Sequence, residues 1–196
     1  MINRPTRGVG FIEPLLAKLR ARRANLLIPE HLRKGRILDI GCGSSPYFLA
    51  HTYFKEKFAV EQAEPSAEFS DIKWHTLNLN LNSFLPFDDQ FFSVVTMLAV
   101  LEHLNPDRLV FILRDIYRIL HPGGVLIVTT PAAWSDSLLR RMAQLRLVST
   151  EEIDEHVYAY TLPLIGWYFG IAGFPMTKVK FGYFEFLLNL WGTAER

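Results

Sequence analysis

The residues best placed to do chemistry lie in one stretch, Ile37-Leu38-Asp39-Ile40-Gly41-Cys42-Gly43-Ser44-Ser45-Pro46, where an apolar run enters a glycine turn. Glycines at 41 and 43 let the backbone approach a ligand without side-chain obstruction, and free amides at the start of a following helix favour anionic groups. Ser45 reads as the cap of that helix and Pro46 as its first residue. Two phosphate-binding loops are excluded: position 46 carries Pro in place of the third glycine of a dinucleotide fingerprint, and no Gly-Lys-Ser/Thr follows for a Walker-type loop. Glu61, about twenty residues beyond Gly41, has the spacing of an acid that accepts both hydroxyls of an adenosine ribose. For proton transfer the candidate is His103, an imidazole being the side chain that exchanges protons most readily near neutral pH. Histidines 31, 51, 75, 121 and 156 make no H-x-H or H-E-x-x-H spacing, so no metal site is expected. Cys42 sits inside the turn, where its backbone rather than its thiol is the expected contact.

Strands must carry these residues to a common edge. Apolar runs at 36–40, 58–61, 72–77, 92–98 and 125–130 have strand length and turn residues at their ends. A helix starts at Asn105-Pro106, a cap followed by proline. It aligns Leu109, Ile112, Leu113, Ile116 and Leu120 on one face and stops at His121-Pro122-Gly123-Gly124. Such alternation predicts an α/β fold, doubly wound, with a mostly parallel sheet covered on both faces. Two β-rich stretches around Gly182, within 177–191, read as a closing antiparallel pair. The 21 uncharged residues between His156 and Lys178 have the length of a membrane span, but Pro163, Pro175, Gly166, Gly170 and Gly173 interrupt them. Thr161 as cap and Gly173 as stop predict a buried helix of about ten residues instead.

With 196 residues, 49% of them apolar or aromatic and 21% charged, the chain suits one globular domain and lacks the composition of a disordered one. A lone cysteine excludes a cystine-stapled scaffold and suggests a reducing compartment, and residues 1–14 offer no hydrophobic core for a signal peptide. A cytoplasmic protein is expected. The net charge of +1 conceals an asymmetry, because residues 1–36 hold nine Lys/Arg against two acids. Arg20, Arg22 and Arg23 could meet phosphates or an anionic membrane surface, although a charge run on a helix is usually its solvated face.

In order along the chain, these segments resemble the class I S-adenosylmethionine-dependent methyltransferases, particularly those acting on small molecules. Residues 37–43 match the family's glycine motif and Val60-Glu61 its ribose-binding acid. Leu85-Pro86-Phe87-Asp88-Asp89 through Val94-Val95 match its fourth strand, Leu101-Glu102-His103-Leu104 the segment after it, and 120–131 its L-x-P-G-G helix end and fifth strand. The resemblance implies a seven-stranded Rossmann-like sheet with a C-terminal hairpin, S-adenosylmethionine as cofactor with S-adenosylhomocysteine as product, and a small or medium acceptor. It implies cofactor contacts at Asp39, Gly41, Cys42, Gly43, Ser44, Glu61, Gln62, Asn78, Leu98 and Ala99, with His103 as base on the acceptor side. A basic helical segment (1–35), a cofactor-binding core (36–131) and a substrate-lid and hairpin region (132–196) would then form one domain. Trp134, Ser135 and the helix-prone residues 137–147 fall where the family forms its acceptor lid.

Three positions depart from the pattern: Ser45 replaces the third glycine, Asn78 or Asn80 stands where an acid reads the adenine amine, and Ser93 replaces an aspartate of strand four. A module that binds the cofactor without using it is the alternative. No Asn/Asp-Pro-Pro-Tyr tetrad follows strand four, where residues 97–101 stand, which disfavours amino-group methylation of nucleic acid. A membrane partner is disfavoured by the interruptions in the uncharged run, and the basic helix keeps both as secondary readings.

Overall fold

The computed structural model describes residues 13–67, 69–82, 84–135, 158–185 and 187–196. Five parallel strands, β1 (Arg36–Ile40), β2 (Glu56–Glu61), β3 (Ile72–Thr76), β4 (Phe92–Leu98) and β5 (Leu120–Pro131), join the antiparallel β6 (Val179–Phe184) and β7 (Asn189–Glu195). Their order across the seven-stranded sheet is β3-β2-β1-β4-β5-β7-β6. The chain winds outward from β1 to β3 and then returns to the opposite side of β1 at β4. In an open α/β sheet the crevice at such a reversal, outside the carboxyl ends of the strands, is where ligands bind.

Alternation along the strands supplies a core to each face. Ile37, Val94 and Ile127 face α1 (Glu13–Leu27) and the single-turn α2 (Tyr47–Ala50), together with Ala24 and Leu49. Leu38, Val95 and Leu126 face α3 (Pro106–Ile119) and α4 (Leu162–Ala172), together with Leu113, Ile116 and Phe169. Both expected caps form: Asn105 Oδ1 accepts the Asp107 N–H at 3.0 Å, and Thr161 Oγ1 accepts that of Leu164 at 3.4 Å. Gly173 ends α4 with φ of 107°. Among the described residues no helix is long and apolar enough to cross a membrane.

Three local expectations are corrected. Pro46 is the residue preceding α2 and Ser45 makes no side-chain cap, because the helix begins at Tyr47 and lasts one turn. The Pro-Gly-Gly segment does not separate α3 from β5. Leu120 already pairs with Phe92, and the segment is absorbed within the strand where the register shifts between Phe92 and Val94. Gly182 is no turn residue either but lies mid-strand in β6, opposite Trp191, and the hairpin reverses after Phe184. Residues 137–147, and His156 with them, lie outside the described residues.

A Cβ at Gly182 would lie 2.5–2.6 Å from three atoms of the Trp191 indole, a flat ring that cannot yield as a flexible chain end would. Gly182→Ala is therefore expected to lower stability by about 1–3 kcal/mol, the usual cost of overpacking, as read from the urea midpoint. An unchanged midpoint would mean that the hairpin is registered differently.

Candidate active site at the strand tips

Each expected cofactor residue except Asn78 lies in or directly after β1, β2 or β4, and Asn78 follows β3 by two residues. The glycine turn is held open by backbone conformation: φ is 72° at Gly41 and 68° at Gly43, values that side-chain-bearing residues rarely adopt. The two glycines serve different ends. A Cβ on Gly41 would lie 2.5 Å from a methyl of Val100, whereas one on Gly43 would meet nothing within 4 Å. Gly41 thus permits close packing against the loop after β4, and Gly43 borders open space.

Glu61, 5% exposed at the end of β2, joins this turn to its own. Its carboxylate accepts the Gly43 N–H at 2.9 Å, that of Gln62 at 2.8 Å and that of Ala63 at 3.4 Å. The Ser44 carbonyl adds a fourth tie by accepting from the Ser66 N–H at 2.8 Å. Asn78 Nδ2 donates to Gln62 Oε1 at 3.3 Å, and its Oδ1 accepts from the Asn80 N–H at 2.9 Å. Asn80 belongs to a different connection, since its side chain donates to the His103 carbonyl and accepts from the Asn105 N–H.

Beyond β4, Ala99 takes a left-handed φ of 57°, and its N–H reaches both the carbonyl and the hydroxyl of Thr129, at 2.9 and 3.2 Å. His103 ends the short turn Leu101–His103, half-buried, with its N–H on the Val100 carbonyl. Its neighbour Glu102 is buried and accepts from Thr130 Oγ1 at 3.0 Å. Tyr160, fully buried, donates to the Leu101 carbonyl at 3.2 Å, and burial pushes its phenol above the usual range. Thr129, Thr130 and Tyr160 were not singled out as site residues by sequence reasoning, and Asn80, offered beside Asn78 for the adenine position, is tied instead to the segment after β4. For Thr129-Thr130 the available signal is a pair of hydroxyls at the end of an apolar strand.

Asp39, 3% exposed in β1, takes a 2.6 Å hydrogen bond from Thr96 Oγ1. Burial outweighs that bond and pushes its carboxyl up to about 7. Cys42 is half-buried, and its Sγ lies 3.4 Å from the Gly43 carbonyl. Ser93, by contrast, stands at the opposite end of β4, where a Cβ on Gly35 would collide with its hydroxyl. That departure from the family pattern therefore lies away from the glycine turn.

A family model described as a methyltransferase domain matches residues 11–179. The chain belongs to this methyltransferase family. Its fold also matches solved structures. A putative methyltransferase of Haloferax volcanii, determined in complex with the Trm112 methyltransferase activator, is 16% identical with a TM-score of 0.69, over 90% of this chain and 88% of that one. An S-adenosylmethionine-dependent methyltransferase of Mesorhizobium loti is 16% identical with a TM-score of 0.63, over 94% and 97%. One of Thermotoga maritima, described as a possible histamine N-methyltransferase, is 21% identical with a TM-score of 0.66, over 91% and 87%. At these identities the likeness establishes the fold, and no curated protein matches in sequence. The cofactor of the methyltransferase family is S-adenosylmethionine, and the open side of Gly43 beside the Glu61 carboxylate is a cradle of the right chemistry for it.

Two outcomes follow for this methyltransferase domain. Gly43→Val should fold with only the strain of a left-handed residue, about 1–2 kcal/mol, and lose cofactor binding, while Gly41→Val should lose more stability because it also strikes Val100. Calorimetric titration beside thermal unfolding separates the two, and normal binding by Gly43→Val would assign the turn another purpose. The Asp39 shift sets a pH dependence. A carboxyl near 4 when unfolded and near 7 when folded favours the folded chain fully below pH about 4, and that contribution is lost as pH rises towards about 7. Asp39→Asn should flatten this slope in ligand-free unfolding measured from pH 4 to 7, and an unaltered slope would place its origin elsewhere.

Proposed function

We propose that the protein transfers a methyl group from S-adenosylmethionine to a small or medium acceptor, binding the cofactor across the tips of β1, β2 and β4. The observation that carries this reading is the Glu61 carboxylate hydrogen-bonded to Gly43, which brings a ribose acceptor and an unobstructed backbone to one edge. In this reading Gly41, Cys42, Gly43 and Ser44 supply backbone, Glu61 and Gln62 meet the ribose, and Asn78 meets the adenine amine through its carbonyl oxygen. Leu98 and Ala99 line the adenosine from the β4 side, and the Asp39 carboxylate offsets positive charge on the amino-acid portion. The bound cofactor supplies an electrophilic methyl on a sulfonium, and the chain's task is to align donor with acceptor and exclude water. His103 takes a proton from an acceptor hydroxyl or amine when one must leave. Residues 36–131 carry the cofactor side, and 132–196 the acceptor side.

The test pairs binding with turnover. Glu61→Ala should weaken calorimetric binding of S-adenosylhomocysteine by roughly 1.5–3 kcal/mol, the range for hydrogen bonds to a charged group. With an acceptor found from a panel of phenols, amines, carboxylates and thiols, His103→Ala should lower kcat about 10²-fold or more and leave cofactor affinity nearly unchanged. Full turnover would demote His103 to packing. Tight cofactor binding with no transfer to any of the panel would give the lead to a non-catalytic binding module.

A further inference from the structure

Helix α1 buries its alanines and leaves two of its five leucines largely exposed. Ala17, Ala21, Ala24 and, just beyond the helix, Ile28 lie against the sheet, whereas Leu15 is 55% and Leu26 is 70% exposed. Lys18 and Arg22 are exposed between them. At 100° per residue these four side chains fall within one narrow stripe, extending about 16 Å along the helix. The stripe continues past the helix end. Thr52 Oγ1 donates to Asn25 Oδ1 at 2.7 Å, which ties to the end of α1 the segment carrying Tyr53, 76% exposed, and exposed Lys55. Of the carboxylates in the segments that follow, Glu30 pairs with Arg33 at 3.1 Å and Glu56 with Arg36 and Lys73 at 2.9 and 2.6 Å. Arg23 and Arg20 turn away from the stripe, towards the Phe184 ring and the Glu185 carboxyl.

Lone exposed leucines need no explanation. Here they alternate with cations on the face opposite an alanine seam, with an aromatic residue at one end and no described acid among them. Phosphates of a nucleic acid would satisfy Lys18 and Arg22 and leave Leu15 and Leu26 in water. An anionic bilayer surface answers both kinds of side chain, since leucines enter the boundary between head groups and acyl chains while cations meet lipid phosphates. We propose that this stripe of α1, with Tyr53 and Lys55, docks the protein on an anionic lipid bilayer. From the sequence the basic run reads as a solvated face, because which residues of the helix are buried is visible only once it is packed.

The full chain is mixed with vesicles of phosphatidylcholine alone, or of equal parts phosphatidylcholine and phosphatidylglycerol, and the pelleted fraction gives the partition coefficient. Binding is expected only to the anionic vesicles and should weaken with salt. Lys18→Gln with Arg22→Gln should lower the partition about 30-fold, taking about 1 kcal/mol for each basic residue at the surface. Leu15→Ser with Leu26→Ser should lower it about tenfold or more. Unfolding midpoints and S-adenosylhomocysteine affinity should be unchanged in both double variants, since all four side chains are exposed. Equal binding to neutral vesicles, or an undiminished partition in either variant, would overturn the proposal. So would tight binding of a single-stranded RNA that the cation changes abolish and the leucine changes leave intact. A dimer that the leucine changes dissociate would assign the stripe to self-association instead.

Discussion

A carboxylate buried at the end of β2 must find donors, and Glu61 finds them in backbone N–H groups of the turns after both β1 and β2. An unsatisfied buried charge would cost several kcal/mol, so the positions of these amides are constrained together. Gly43 can present its N–H only because the β1 turn adopts left-handed conformations at 41 and 43, and that in turn brings Gly41 against Val100. One hydrogen bond thereby couples three strand tips. The consequence for ligand binding is preorganisation: the loops do not have to be ordered by the ligand, so little of the binding energy is consumed in arranging them.

The β4 side is fixed by a separate set of polar contacts. Ala99 is held in a sparsely populated conformation by the backbone and hydroxyl of Thr129, and Tyr160 reaches across to the Leu101 carbonyl. Asn80, arriving from the β3 side, binds both ends of the segment from His103 to Asn105. Strain of this kind persists only where surrounding structure over-determines it, and it gathers where a backbone must be aimed at something. The imidazole of His103 therefore rides on a segment whose backbone is tied at both ends.

What was legible in the sequence is what local chemistry decides. Asn105-Pro106 and Thr161-Leu162-Pro163 set helix starts through side-chain acceptors and a fixed φ, and Gly173 set a stop through its left-handed φ. That Gly43 and Glu61 share one edge was legible because each closes a strand of a parallel pair, and the Glu61 carboxylate does accept the Gly43 N–H. Where tertiary pairing decides, local reading failed. Pro122-Gly123-Gly124 has turn chemistry, yet the demand of Phe92 and Val94 for partners drew it into β5. Gly182 resembles a turn residue, but it is small because Trp191 needs the space across the hairpin. Ser45 resembles a cap, although α2 is too short to depend on one. Ser93 read as a departure within the functional strand, and only the strand's direction reveals that it lies at the far end from the glycine turn.

Asp39 ties the chemistry of the edge to the charge of what binds there. Without a ligand, its burial is compensated by one hydroxyl, and ionising it is costly. A neutral ligand would leave that cost in place. A cation entering the crevice would offset it, and the gain grows as pH rises and the carboxyl would otherwise be half-ionised against its surroundings. S-adenosylmethionine carries a sulfonium and an ammonium, whereas its product keeps only the ammonium. Under the proposed function, a carboxyl buried behind the glycine turn would hold the more highly charged of the two more tightly than the other.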